Sequence, residues 1–249
     1  MPTFEELVAE GEAVPTEGWD FSWFTGRATE QRPSWGYAGL LAARMATAGA
    51  ALDLQTGGGE VLASIPVAPP VLAATESWPP NLAIARRNLA KFGATVAHVG
   101  DTDDLPFPDG HFDLVVSRHP VAVRWDEVHR VLRPGGTYLS QAVGAGSVRE
   151  LTDFLMGPRP VDPGRSPVRT AADAEAAGLE VVDLRQEALR VEFHDIAAVV
   201  HFLRKVIWIV PGFTAAAYRD RLLELHGFIE RHGPFVAHSQ RLLVEARRR

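Results

Sequence analysis

The chain has no cysteine among its 249 residues. That excludes disulfides, thiolate catalysis and cysteine-ligated zinc. No stretch reaches the roughly 20 consecutive apolar residues of a membrane span. The opening residues, MPTFEELVAEGEAVP, are acidic and lack the apolar core of a signal peptide, so a cytoplasmic protein is expected, with no membrane partner. Cationic side chains are in the minority: 25 Lys and Arg stand against 31 Asp and Glu, for a net charge of −6. Nucleic-acid binding draws much of its affinity from neutralising phosphates. A nucleic-acid partner is therefore disfavoured, and a small molecule is the expected ligand. The nine histidines form no H-E-x-x-H pattern, and His194 and His201 alone make no metal pair, so no metal is expected. P-loop and G-x-S-x-G patterns are also missing. Nothing in the sequence bears on oligomeric state.

From residue 51 onward, strand and helix patterns alternate. ALDLQT, VLAATE, TVAHVG, FDLVVSR and TYLSQAV read as strands. Between them, PPNLAIARRNLAKFG is a predicted helix, with prolines at its start, Leu82, Ala85, Leu89 and Phe92 on one face, and Gly93 at its end. WDEVHRVLRPGG is a second, stopped by Pro134 and two glycines. Such alternation predicts a doubly wound, mostly parallel α/β sheet. A proline-rich loop follows at residues 157–169. Then LEVVDLRQEALRVEF reads as a strand, residues 195–232 as a helical insertion, and FVAHSQRLLVEAR as a last, antiparallel strand, for seven in all. Residues 1–50 carry Trp19, Phe21, Trp23, Phe24, Trp35 and Tyr37. They predict a helical segment in front of the 51–249 domain, either an aromatic lid over the site or a flap whose rings pack on the core.

The chemistry centres on LDLQTGGGEVL, residues 52–62. An apolar strand ends at Asp53 and runs into Gly57, Gly58 and Gly59. Ligands of parallel sheets bind beyond the carboxyl ends of the strands, and glycines allow close backbone approach. Glu76 ends the next strand, 23 residues on, a spacing suited to an acid that accepts from both hydroxyls of a ribose. The dinucleotide pattern G-x-G-x-x-G/A fails, because counting from Gly57 and Gly59 arrives at Leu62.

LDLQTGGGEVL, ATE, VGDTDDLPFPDGHFDLVVS and EVHRVLRPGGTYL, in that order, resemble a class I S-adenosylmethionine-dependent methyltransferase over about residues 50–145. The chain's ending resembles uncharacterised bacterial members of that class. The resemblance implies a Rossmann-like seven-stranded fold and S-adenosylmethionine as cofactor. It implies that Asp53, Gln55, Thr56, Gly57 and Gly59 hold the methionine end of the cofactor, and that Glu76 and Ser77 hold the ribose. Asp101 and Thr102 would border the adenine, and Ser117 and Arg118 would face the sulfonium and the acceptor. Gln55 departs from the family, which usually has glycine there. Three readings stay open: a less strained loop, an amide that contacts the cofactor, or a substitution without consequence.

On the acceptor side, His119 is the candidate general base, because neutral imidazole can take a proton near neutral pH. The alternative is a loop histidine that satisfies backbone groups, in a fold that often needs only proximity. Trp19, Trp35, Tyr37, His201, Arg204 and Trp208 are candidate acceptor contacts. For the last three, an amphipathic helix with a cationic face explains the pattern equally well. The D-P-P-Y or N-P-P-Y tetrapeptide of amino-group nucleic-acid methylases is absent. The expected function is methyl transfer to N or O of a small molecule. The alternatives are an RNA-modifying methyltransferase, using Arg159, Arg165 and Arg169, or the same fold put to binding or another reaction.

Overall fold

The computed structural model describes residues 2–17 and 20–249. Two compact units divide these residues. The larger comprises residues 33–145, 163–187 and 241–249, and the smaller comprises residues 1–32, 146–162 and 188–240. Residues up to 32 thus fall in the smaller unit and residues 33–50 in the larger.

In chain order the elements are α1 (Phe4–Ala13), β1 (Ala28–Glu30), α2 (Tyr37–Met45), β2 (Ala50–Leu54), α3 (Glu60–Ala63), β3 (Val71–Glu76), α4 (Pro79–Leu89) and β4 (Thr95–His98). They continue with β5 (Phe112–Arg118), α5 (Trp125–Val131), β6 (Leu132–Val143), α6 (Arg149–Met156), α7 (Pro167–Ala176), β7 (Leu179–Phe193), α8 (Ile196–Lys205), α9 (Arg219–His232) and β8 (Phe235–Arg248). The sheet order is β1-β7-β8-β6-β5-β2-β3-β4. Strands β4, β3, β2, β5 and β6 run parallel, and β8 pairs antiparallel with β6. This is the mostly parallel α/β sheet the sequence predicts, with one strand more. The addition is three-residue β1, which pairs with the end of β7 and is too short to carry an alternating pattern.

The larger unit is wound on both faces, and the strand sequences show why. Side chains alternate across a pleated sheet. Ala51, Leu72, Ala74, Leu114, Val116, Leu139 and Leu243 pack on one side with Tyr37, Leu41 and Met45 of α2 and Leu82, Ala85 and Leu89 of α4. Their chain neighbours Leu52, Ala73, Val115, Tyr138 and Val244 pack on the other side with Val128 and Val131 of α5 and Ala174 of α7. Strands buried on both faces read as continuous apolar runs, as VLAATE and FDLVVSR do. Helix α5 ends earlier than its sequence suggests. Leu132 is already extended, Pro134 bars Arg133 from helical backbone in turn, and β6 takes over before the glycine pair.

The smaller unit has its own core. Phe4, Leu7, Phe24, Leu151, Phe193, Ile196, Val200, Leu203, Leu222 and Leu225 are buried together. Helix α1 opens with a capping box, in which Glu6 N–H donates to Thr3 Oγ1 and Thr3 N–H donates to the Glu6 carboxylate. Gly11 lets α1 and α8 touch: a Cβ there would stand 2.6 Å from the Ala197 carbonyl oxygen and 2.9 Å from Val200 Cβ. Helices α8 and α9 lie between β7 and β8 in the chain. Among the described residues, no helix is long and apolar enough to cross a membrane.

Candidate cofactor and acceptor site

The site residues of the larger unit gather beyond the carboxyl ends of β2, β3, β5 and β6. Asp53, the fourth residue of β2, is buried, and its Oδ2 accepts from Thr56 Oγ1 at 2.6 Å. Burial raises its carboxyl from 3.8 to about 7. The Thr56 hydrogen bond and Arg118 oppose this rise, and the Glu76 charge adds to it. Glu76 closes β3. It is 6% exposed, and its two carboxylate oxygens accept from the backbone N–H groups of Gly57 (2.8 Å) and Trp78 (2.9 Å). Burial raises its pKa, against these backbone hydrogen bonds. A carboxylate has acceptor sites for about four hydrogen bonds, so backbone donors leave part of its capacity for a ligand's hydroxyls.

The glycine loop is held to β3 by Thr75. Its Oγ1 accepts from Gln55 N–H (3.1 Å) and its carbonyl accepts from Thr56 N–H (2.9 Å). Two of the three glycines have reasons within the protein. Gly57 is left-handed at φ 65°, and a Cβ at Gly59 would press on Leu89 at 3.1 Å from a left-handed backbone of φ 73°. Gln55 is left-handed too, at φ 54°. The loop therefore keeps the conformation that favours glycine although glycine is missing. The Gln55 amide reaches across to the residues after β5: Nε2 donates to the Ala122 carbonyl (2.7 Å) and Val121 N–H donates to Oε1 (2.6 Å).

Asp101 and Thr102 lie in the loop after β4. Asp101 lines a small cavity with Leu54, Gln55, Thr75, Ala122 and Arg124. Thr102 presents its carbonyl to Arg124 Nη1 at 2.6 Å, and the Ser77 carbonyl contacts His98 Nε2 at 2.8 Å. Ser117 is buried, with its hydroxyl between Tyr138 and Ser140, each at 2.8 Å. Tyr37 OH donates to the Ser117 carbonyl (2.9 Å). Burial raises the phenols of both Tyr37 and Tyr138. Arg118 is exposed at the end of β5.

His119 also has left-handed backbone, φ 56°, and its N–H donates to the Gln141 carbonyl at 2.7 Å. Its Nε2 is 3.1 Å from Gln141 Nε2. Donor logic fixes this pair. The indole Nε1–H of Trp35 can only donate, and it donates to Gln141 Oε1 at 2.8 Å. The Gln141 NH2 therefore points at His119, whose Nε2 must offer a lone pair and whose proton sits on Nδ1. Burial, with Arg118 and Arg241 nearby, lowers the imidazole pKa well below 6.5, which keeps the ring neutral. The lone pair a general base would use is engaged by Gln141.

Trp35 and Tyr37 thus stand at the carboxyl ends of β5 and β6, buried in the core of the larger unit. His201, Arg204 and Trp208 lie in the smaller unit. His201 packs against Trp23 and Phe24, each with ring centroids 5.0 Å away, and among the described residues its Nδ1 has no hydrogen-bond partner. Burial, with Lys205 and Arg204, pulls its pKa down to about 4. Arg204 Nη1 donates to the carbonyls of Gly11 and Val14, and Trp208 is 42% exposed. Trp19 lies outside the described residues. Thr75, Gln141, Val121 and Ala122 are site residues that sequence reasoning missed. Only Thr75 left a signal, as the one hydroxyl inside the apolar run of β3.

The buried acid at the end of β3, the buried acid at the end of β2 and the loop joining them make a donor and acceptor set that suits a nucleoside with a cationic tail. Residues 52–140, within the larger unit, match the family model described as a methyltransferase domain. Among individual proteins, it is 36% identical over 84 residues to malonyl-[acyl-carrier protein] O-methyltransferase 1 of Coxiella burnetii, covering 30% of this chain and 29% of that one. The chain spans less than a third of the length of the curated relatives it matches. In fold it resembles the YcgJ protein of Bacillus subtilis (TM-score 0.60, 18% identity, 85% of this chain and 97% of that one). It also resembles the [4+2]-cyclase SpnF (TM-score 0.53, 18% identity, 99% and 97%).

Proposed function

We propose that this protein binds S-adenosylmethionine and transfers its methyl group to nitrogen or oxygen of a small-molecule acceptor. The observation that carries the reading is Glu76: a buried carboxylate at the end of β3, tied to the glycine loop through Gly57 and keeping acceptor capacity for a ribose diol. In this reading Asp53 and the Thr56–Gly59 loop receive the amino-acid end, and Asp101 borders the base. The cofactor supplies an electrophilic methyl group, and the chain supplies alignment and exclusion of water. His119 offers Nδ1–H as a hydrogen-bond donor that orients the acceptor, and it takes no proton. The acidic chain favours a compact acceptor, and a cytoplasmic setting belongs to the same proposal.

Calorimetry with S-adenosylmethionine, S-adenosylhomocysteine and NAD tests the cofactor. Binding of the first two and not of NAD is expected, and the reverse overturns the reading. Incubation with labelled cofactor and a metabolite extract then tests the acceptor, with a labelled small molecule as the expected product. One observation favours a second reading, in which the fold serves binding or another reaction: the Gln55 amide bridges the crevice where a cofactor would lie. Tight cofactor binding without turnover on any acceptor would support it.

A further inference from the structure

The topology of the sheet singles out one crevice. From β2 the chain proceeds through β3 to β4 on one side, and β5 then returns to the other side of β2. Ligands of open parallel sheets bind where the strand order reverses in this way, beyond the carboxyl ends of the two central strands. Gln55 is the first residue after β2, and Val121 and Ala122 lie just after β5. The two hydrogen bonds of the Gln55 amide, 2.6 and 2.7 Å long, therefore run from one lip of this crevice to the other. The far lip is secured twice more. Arg165 Nη2 donates to the Val121 carbonyl (3.0 Å), and Arg124 Nη1 donates to the Thr102 carbonyl (2.6 Å). The cavity lined by Gln55, Ala122 and Asp101 measures about 30 Å³, against roughly 300 Å³ or more for a small-molecule site. Gln55 holds this position from a left-handed backbone, which is costly for a residue with a Cβ. Such strain persists where surrounding interactions over-determine it, and the paired amide bonds do so here.

We infer that Gln55 is a latch across the cofactor crevice, and that its amide must release Val121 and Ala122 before the methyl donor enters. The inference rests on the cofactor reading above. A protein whose binding-competent state is a minor one shows an affinity reduced by that state's population. Two hydrogen bonds that hold the latch shut make the reduction about tenfold or more.

The test measures S-adenosylhomocysteine affinity and association rate for the wild type, Gln55→Ala and Gln55→Gly. Alanine removes the amide and keeps the Cβ. Glycine suits φ 54° and so preserves the fold. Both variants are expected to bind at least about tenfold tighter, and faster. Unchanged or weaker affinity in both, with the wild type binding, overturns the latch alone. Tighter binding by Gln55→Gly but not Gln55→Ala also overturns it, since the Cβ and not the amide would then be the obstacle. No binding by any of the three overturns the cofactor reading, and the latch with it.

Discussion

Replacing Asp53 by asparagine is expected to stabilise the protein, and to do so only as the pH rises. In the folded chain, burial raises this carboxyl from 3.8 to about 7; in the unfolded chain it titrates near its ordinary value. Between those limits the folded state holds a proton that the unfolded state has lost. The stability linked to Asp53 is therefore intact below about pH 4, falls as pH rises through the window, and is gone above about pH 7. A tenfold change in a proton-binding constant is worth about 1.36 kcal/mol, so a rise of roughly three pH units sets a ceiling of about 4 kcal/mol. Asparagine keeps the size and an oxygen that can accept from Thr56 Oγ1, but it does not ionise. Burying its amide adds an offset that is independent of pH, so the slope carries the test. Urea titrations of both proteins at roughly one-unit steps from pH 4 to pH 8 measure it. The variant-minus-wild-type difference should be flat near pH 4, climb across the window, and level off by up to about 4 kcal/mol. A difference that does not change with pH refutes the reasoning. So does one that turns against the variant as pH rises, because it would show a carboxylate stabilised where it lies.

Other expectations concern the same site. Glu76→Ala should weaken S-adenosylhomocysteine binding more than tenfold by calorimetry, since hydrogen bonds to a charged group contribute roughly 1.5–3 kcal/mol each; an unchanged affinity in the folded variant would remove Glu76 as the ribose ligand. Nitrogen-15 NMR should find the His119 proton on Nδ1 and the ring still neutral well below its ordinary titration range, while Trp35→Phe, which frees Gln141 to turn, should give a mixture of tautomers. A wild-type proton on Nε2 would contradict the hydrogen-bond assignment. Deleting residues 1–37 should collapse the melting transition, because Phe4, Leu7 and Phe24 are core residues of the smaller unit and Trp35 and Tyr37 of the larger. A folded truncation with normal turnover would refute this.

Much of the architecture was legible because the larger unit writes its topology in short-range patterns. Apolar runs ending in Asp53 and Glu76 are what a sheet buried on both faces requires. The prolines that open α4 and the glycine after it mark ends that any helix of that length needs. The division of the N-terminal 50 residues was not legible. Whether Phe24 and Trp35 serve one core or two depends on which distant side chains they meet, and an aromatic-rich stretch looks the same in either case.

The polar site shows the same limit more sharply. Asp53 and Glu76 stand at strand ends beside a glycine turn, so their positions follow from local sequence plus one rule about parallel sheets. Gln55 was visible as a departure, yet its meaning was not, since its partners are 66 and 67 residues away. Gln141 lies 22 residues from His119 and 106 from Trp35, and nothing around it marks it as the group that sets the histidine's tautomer. Both glutamines act through a primary amide, which donates and accepts at once and so can join two backbone groups or hand polarity from an indole to an imidazole. That capacity is used only after the ends of β2, β5 and β6 have come together. A sequence reading that ranks residues by charge and nucleophilicity will find the two acids and the histidine. It will pass over the two amides, one of which spans the crevice between β2 and β5 and the other of which decides which nitrogen of His119 carries the proton.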